Sequence, residues 1–207
     1  PDYTLALNCE WDHVDHYADS KAFLKTLGEL FERTKQGLVF PKGSNIEKLI
    51  GKLKFDFNPI AFQPHENPAL FDDSNRRAVI AMGKSMGVDL GQVDFSLFPG
   101  MERRQSVLFD SDGRMVVEDY AHHPSELRAF LANRRLDAPN DLLRVVFQPH
   151  RFSRTRAHAK KFAEELSLAD EMYLMQTYGA FEKFDASGTV EALSGHLPPR
   201  FREDAKV

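Results

Sequence analysis

Cysteine is almost missing from this chain: among 207 residues the only thiol is Cys9. No disulfide can close within it, a Cys-based metal site is excluded, and a reducing, cytoplasmic setting is expected. No apolar run approaches the ~20 residues that a bilayer-spanning helix needs, so no membrane insertion is expected. A basic-then-apolar leader pattern is also lacking; Pro1-Asp2 runs at once into an apolar strand and reads as a cut end. Net charge is small. Lys and Arg total 27 against 31 Asp and Glu, a formal −4, which excludes a nucleic-acid binder driven by general basicity. Trp11 is the sole tryptophan, whereas phenylalanine occurs 17 times, and a hydrophobic share of 42% suffices for the core of one large domain or two small ones.

Periodicity points to an α/β chain in two parts. Residues 3–7 form an apolar run expected to be a buried strand, and 8–17 are dense in Asp and His. Residues 20–33 have helical spacing, with Phe23, Leu24, Leu27, Leu30 and Phe31 on one face. A strand at 37–40, a helical turn at 45–50, a strand at 54–62, a loop at 63–73 and a helix at 75–86 ending at Gly87 follow. Pro99-Gly100 breaks the pattern and is the candidate domain boundary. Beyond it, 106–109 and 114–117 flank Asp110-Ser111-Asp112-Gly113, a hairpin signal. A helix at 125–135, a strand at 142–147, a helix at 156–168 and a strand at 171–176 complete the second part. Such alternation implies a parallel sheet with right-handed crossovers, here a small Rossmann-like domain without the Gly-rich dinucleotide fingerprint. Phe-Gln-Pro-His occurs at Phe62 and again at Phe147, in different surroundings, and is read as coincidence.

Three polar clusters follow strands, where open α/β sheets bind ligands. The first runs Asn8-Cys9-Glu10-Trp11-Asp12-His13-Val14-Asp15-His16-Tyr17. An imidazole among carboxylates can complete a Mg²⁺ site; equally, Asp12 and Asp15 fit the N-terminus of a helix. The second, Glu118-Asp119-Tyr120-Ala121-His122-His123-Pro124, is either a ligand loop or a strand-to-helix turn with polar caps. The third is Phe147-Gln148-Pro149-His150-Arg151-Phe152-Ser153-Arg154-Thr155-Arg156. Its arginines suit a carboxylate or phosphate at a helix N-terminus, or form a solvated loop paired with Glu164 and Glu165. One cleft between two α/β domains, in a phosphate- or carboxylate-handling enzyme, is as far as these patterns lead.

The strings themselves are more specific. Asn8-x-Glu10-x-Asp12-His13-x-Asp15-x-Tyr17, Gly100-x-x-Arg103-Arg104, Asp119-Tyr120-Ala121-His122-His123-Pro124 and the stretch from Phe147 to Arg156 resemble, in order and spacing, motifs of the Mur ligase family of ATP-dependent amide ligases. Its muramate–alanine branch is the nearest. Tyr178 and Glu182 fit the ends of the family's Tyr-Pro-Ala-Gly-Glu stretch. The resemblance implies that residues 1–99 are the C-terminal part of the central, ATP-binding domain and 100–207 the C-terminal, amino-acid-binding domain. It implies ATP and Mg²⁺ as cofactors and joins L-alanine to UDP-N-acetylmuramate through an acyl phosphate.

By the same resemblance, His13 would hold a second Mg²⁺. Asn75, Arg104, Asp119 and Tyr120 would meet the nucleotide. His150, Arg151, Arg154 and Arg156 would bind the substrate amino acid. His13, Asp119, His122, His123 and Arg151 would make up the catalytic set. The family's Gly-x-x-Gly-Lys-Thr phosphate loop occurs nowhere in these residues, so this chain alone is expected to be inactive. Of the usual His-Asn-x-x-Asn segment only Asn75 remains, Gly179 and Phe181 replace the usual Pro and Gly, and Lys25 is out of register for a carbamylated lysine. A muropeptide-recycling relative and a non-catalytic Mur-like binding module are the alternatives; the former lacks the Pro-His-Arg-x-x-Arg-Thr-Arg string.

Overall fold

The computed structural model describes residues 1–98 and 100–202; Pro99, half of the boundary signal, lies outside them. The chain divides into two compact units, Pro1–Phe98 and the described residues that follow.

Unit 1 is a three-stranded parallel sheet in the order β1-β2-β3. β1 is Tyr3–Leu5, β2 Gly37–Pro41 and β3 Ile60–Phe62. Every residue of β2 is buried, as expected of a central parallel strand covered on both faces. Its alternate side chains supply two separate cores. Leu38 and Phe40 join Phe31 of α1 (Ser20–Glu32) and Ile46 of α2 (Asn45–Ile50), while Val39 joins Phe62 and Ala78 of α3 (Phe71–Ser85). α1 starts where Asp19, in extended conformation, accepts a hydrogen bond from Ala22 N at 2.8 Å, an N-cap arrangement. Leu30, expected on its buried face, is 41% exposed.

Two boundaries in unit 1 differ from expectation. α3 begins at Phe71 rather than 75, because Asp72 and Asp73 form its first turn, where acids favour the helix dipole. Asp73 also binds Arg76 and Arg77, the latter at 2.7 Å. Residues 54–59 are not strand. The β2–β3 register sets Val39 opposite Ile60, so continuing it backwards would place 54–57 opposite the turn that follows α1. Phe55 and Phe57 instead stack at 5.3 Å and lie against the Phe31 core.

Unit 2 opens with an antiparallel hairpin, β4 (Ser106–Ser111) and β5 (Arg114–Glu118), with a register shift between Val107 and Phe109. Asp112 and Gly113 at its tip have φ 53° and 70°, the paired left-handed conformation of a two-residue hairpin turn. α4 (Pro124–Asp137), β6 (Arg144–Phe147), α5 (Phe152–Leu166), β7 (Glu171–Leu174), α6 (Val190–Ser194) and α7 (Pro199–Arg202) follow. β6 and β7 pair in parallel, Arg144 opposite Glu171 and Phe147 opposite Leu174, with α5 as the crossover; this is the Rossmann-like α/β arrangement expected. One core joins Leu127 and Leu131 of α4, Phe147, Phe162 and Leu166 of α5, Leu174, Val190 and Leu193. Among the described residues of this unit, β6 and β7 form a two-stranded sheet. α5 begins at Phe152, four residues before the expected 156. Gly188 lies so close to that start that a Cβ on it would come within 2.6 Å of the Phe152 carbonyl carbon.

Candidate functional site

The first polar cluster forms a turn of unit 1. His13, at φ 51°, accepts through its carbonyl from His16 N at 2.8 Å and Tyr17 N at 2.9 Å, and Trp11 Nε1 donates to Tyr17 O at 3.2 Å. His13 is exposed. Burial and then the charge of Glu10 push the Cys9 thiol above its ordinary pKa, away from thiolate chemistry. No group of three or more His, Cys, Asp or Glu among the described residues is placed to hold a metal ion. His13 supplies one nitrogen to a cation that prefers six oxygens, so these residues do not by themselves make a Mg²⁺ site. The alternative also fails: α1 starts at Ser20 with no acid in its first turn, beyond Asp12 and Asp15. Concavities of about 270 and 420 Å³ in this unit include neither His13 nor Asn75 in their walls. Asn75 is exposed on α3.

The second and third clusters both belong to unit 2. Asp119 directs both oxygens to backbone amides, Oδ2 to Gln105 N at 3.0 Å and Oδ1 to Ala121 N at 2.8 Å. It thereby ties the segment before β4 to the segment after β5. Tyr120 is 44% exposed, and the guanidinium carbons of Arg103 and Arg104 lie 5.0 and 5.5 Å from its ring centroid, within cation–π range. His122 Nδ1 faces Tyr120 O at 2.9 Å and Glu126 Oε2 at 3.5 Å. Both are acceptors, so Nδ1 carries the proton.

His123 lies deeper than His122. It is the N-cap of α4: its side chain accepts from Ser125 N while Glu126 Oε2 accepts from His123 N at 3.2 Å, a capping box followed by Pro at the first helical position. It is 9% exposed and meets His158 edge-to-face, with ring centroids 4.9 Å apart. His123 therefore shapes the helix start with its ring largely buried.

β6 leads through Gln148, Pro149 and His150 into α5. Arg151 N donates to Tyr178 O at 2.7 Å and Tyr178 N to Pro149 O at 2.8 Å, which extends the parallel pairing one step past β7 as the isolated bridge His150–Tyr178. Arg154 is 5% exposed; its Nη1 lies 3.4 Å from both Nδ1 and O of His150. A guanidinium only donates, so Nδ1 of His150 accepts and its proton resides on Nε2. Burial first, then the charges of Arg154, His122 and Arg151, hold the His150 pKa below its usual value. Its imidazole is thus neutral at physiological pH.

Arg156 sits apart from Arg154 on the helix. It pairs with Asp185 on the exposed side of α5, two residues on from Arg154 and hence on nearly the opposite helix face. Glu165 pairs with Arg128 of α4 at 3.5 Å, so the solvated-loop alternative for the arginines finds no support there. Ser153 and Glu182 are site neighbours that sequence reasoning left out of the candidate set. Glu182 accepts from Ser153 N at 3.0 Å and Ser153 Oγ at 2.5 Å, and lies 3.9 Å from Arg151 Nη1. The detectable signal was Arg151 itself, a residue with no acceptor at the start of a helix.

Residues 101–204 match the family profile described as Mur ligase, glutamate ligase domain. The UDP-N-acetylmuramate--L-alanine ligase of Cytophaga hutchinsonii is 29% identical over 215 residues, covering 88% of this chain and 46% of the relative. That of Ligilactobacillus salivarius is 30% identical, covering 93% and 51%. The chain thus spans about half the length of the curated relatives it matches. Among solved structures, the UDP-N-acetylmuramate-alanine ligase MurC from Thermotoga maritima superposes with a TM-score of 0.61 at 23% identity, covering 95% of this chain and 48% of that one. A murein peptide ligase from Psychrobacter arcticus gives 0.57 at 17%, covering 84% and 43%. These two likenesses concern the fold.

Proposed function

This chain belongs to the Mur ligase family, and from that premise we propose that it carries the amino-acid-handling part of an ATP-dependent amide ligase. The reaction would join L-alanine to UDP-N-acetylmuramate in peptidoglycan precursor synthesis, in the cytoplasm. Residues 1–99 would be the remainder of the central nucleotide domain and 100–207 the C-terminal domain. The observation that carries the reading is the β6–α5 junction, where buried Arg154 lies 3.4 Å from a neutral His150 and half-buried Arg151 opens the same helix.

In this reading Arg151 takes the alanine carboxylate on its planar fork, and the Nε2 proton of His150 offers a further donor. Arg154 fixes the His150 tautomer, and burial, aided by the Arg154 charge, keeps the imidazole neutral. The alanine amine then attacks an acyl phosphate at the lactyl carbonyl: the C–N bond forms, the C–O bond breaks, and phosphate leaves with the electron pair. Positioning and charge neutralisation would supply most of the acceleration. Arg104 and Tyr120 would offer a guanidinium and a ring face to the nucleotide, and Asn75 keeps a proposed nucleotide contact of its own. ATP supplies the phosphoryl group, and the phosphate-loop chemistry that cradles it is absent from this chain. His13 would give at most one ligand to the accompanying Mg²⁺.

Oxygen-18 transfer tests the chemistry. With the lactyl carboxylate of UDP-N-acetylmuramate labelled, the product of the whole gene should release inorganic phosphate carrying one labelled oxygen. Unlabelled phosphate alongside normal amide formation would rule out the acyl phosphate.

A further inference from the structure

α5 starts on a residue that cannot cap it. Arg151 holds the N-cap position at φ 70° and ψ 132° and makes no side-chain cap hydrogen bond. Its guanidinium has donors only, so it cannot accept from the unpaired amides of the first turn, and its charge lies at the positive end of the dipole. The positive φ, with ψ far from the left-handed helical well, adds backbone strain that Gly would relieve. Local stability therefore argues against Arg here on three counts, the pattern that marks positions held for a site.

The missing cap arrives from 29 residues downstream of Ser153. Glu182 Oε2 accepts from Ser153 N at 3.0 Å, Oε1 accepts from Ser153 Oγ at 2.5 Å, and Oε1 lies 3.9 Å from Arg151 Nη1. The segment that carries it is strained as well: Ala180 and Phe181, just before it, have φ 47° and 72°, and Glu182 N closes the turn on Gly179 O at 2.9 Å. Phe184 anchors the far side against Phe152 at 5.5 Å between ring centroids. Two strained segments thus meet at one carboxylate, with side-chain exposures of 17% for Glu182 and 28% for Arg151.

We infer that Glu182 is a positioning residue for Arg151: it caps α5 in that residue's place and sets the direction of the guanidinium, which is thereby kept for the incoming carboxylate. That last clause rests on the proposed function. The inference has a distinctive sign. A carboxylate beside an anion-binding arginine weakens anion binding by charge alone, so neutralising a mere neighbour should improve affinity for alanine. Neutralising a positioning residue should impair it.

The test uses Glu182→Gln, which keeps the shape and an acceptor for Ser153, with Ser153→Ala as a second variant should the first fail to fold. In the 207-residue chain the Arg151 Nε–Hε NMR signal, identified by its loss in Arg151→Lys, should be rigid on the ps–ns timescale and become mobile in either variant. In the product of the whole gene the KM for L-alanine should rise roughly tenfold or more, the range seen when a partner that orients a ligating side chain is removed, while the KM for ATP stays unchanged. An Arg151 signal as rigid as before, or an alanine KM that holds or falls, overturns the inference. Should the whole-gene product join no L-alanine at all, the functional reading fails alone, and the NMR comparison still decides the role of Glu182.

Discussion

Replacing Arg151 by Lys keeps the charge and removes the fork. The side chain is 28% exposed and lies 3.9 Å from the Glu182 carboxylate, so the ammonium can stay near its place without a buried, unpaired charge. What is lost is one charge-assisted hydrogen bond of the bidentate pair, about 1.5–3 kcal/mol. At ~1.4 kcal/mol per tenfold, that means roughly a ten- to hundredfold loss of kcat/KM. The loss should fall on L-alanine and spare ATP. Arg154→Lys should behave differently. Arg154 is 5% exposed and lies against His150, so this variant should lose stability as well as alanine affinity. The assay is steady-state kinetics of the whole-gene product, varying L-alanine and ATP separately, with urea unfolding of each variant. Parental KM for alanine and parental kcat in both variants would refute the placement of the amino acid at this junction.

Three further outcomes follow from the same geometry. Arg156→Ala should leave the alanine KM within about twofold of the parent, because Arg156 pairs with Asp185 on the outer face of α5, where an exposed pair contributes ~0–1 kcal/mol; a large KM change would return it to the site. Phe162→Ala should lower unfolding free energy by about 3–5 kcal/mol, read by urea denaturation, since the ring is 1% exposed at the centre of the unit 2 core. His150 should make the chain less stable in acid. Its folded pKa lies below the ordinary 6.5, so as pH falls through about 6.5 the unfolded state takes up the proton first and stability drops until the folded pKa is passed. Urea unfolding against pH should show this slope, and His150→Gln should flatten it.

Much of the architecture was legible from local signals. β2 read as a strand because Gly37–Pro41 is apolar throughout, and α2 fell at its expected residues, 45–50, because Ser44 caps it, accepting from Glu47 N at 3.2 Å. What failed depended on partners distant in sequence. The alternating pattern at 54–57 looked like strand, yet a strand requires a facing strand, and the register of β2 and β3 puts these residues opposite the turn after α1. α5 starts early because Glu182, far downstream, supplies the cap that Arg151 lacks. His123 and His122 are neighbours of one type in one motif; only the fold shows one turned into the core against His158 and the other toward Tyr120 and Glu126. Likewise the spacing of Arg154 and Arg156 did not reveal which face of α5 looks toward His150.

Amide formation is the decisive activity. The product of the whole gene, given ATP, labelled L-alanine and UDP-N-acetylmuramate, should convert the label into UDP-N-acetylmuramoyl-L-alanine, with one phosphate released per amide and none when either acceptor or amino acid is omitted. The 207-residue chain under the same conditions should form no product, lacking the phosphate loop. No labelled amide from the whole-gene product, across amino acid concentrations up to saturation, would contradict the proposed ligase activity.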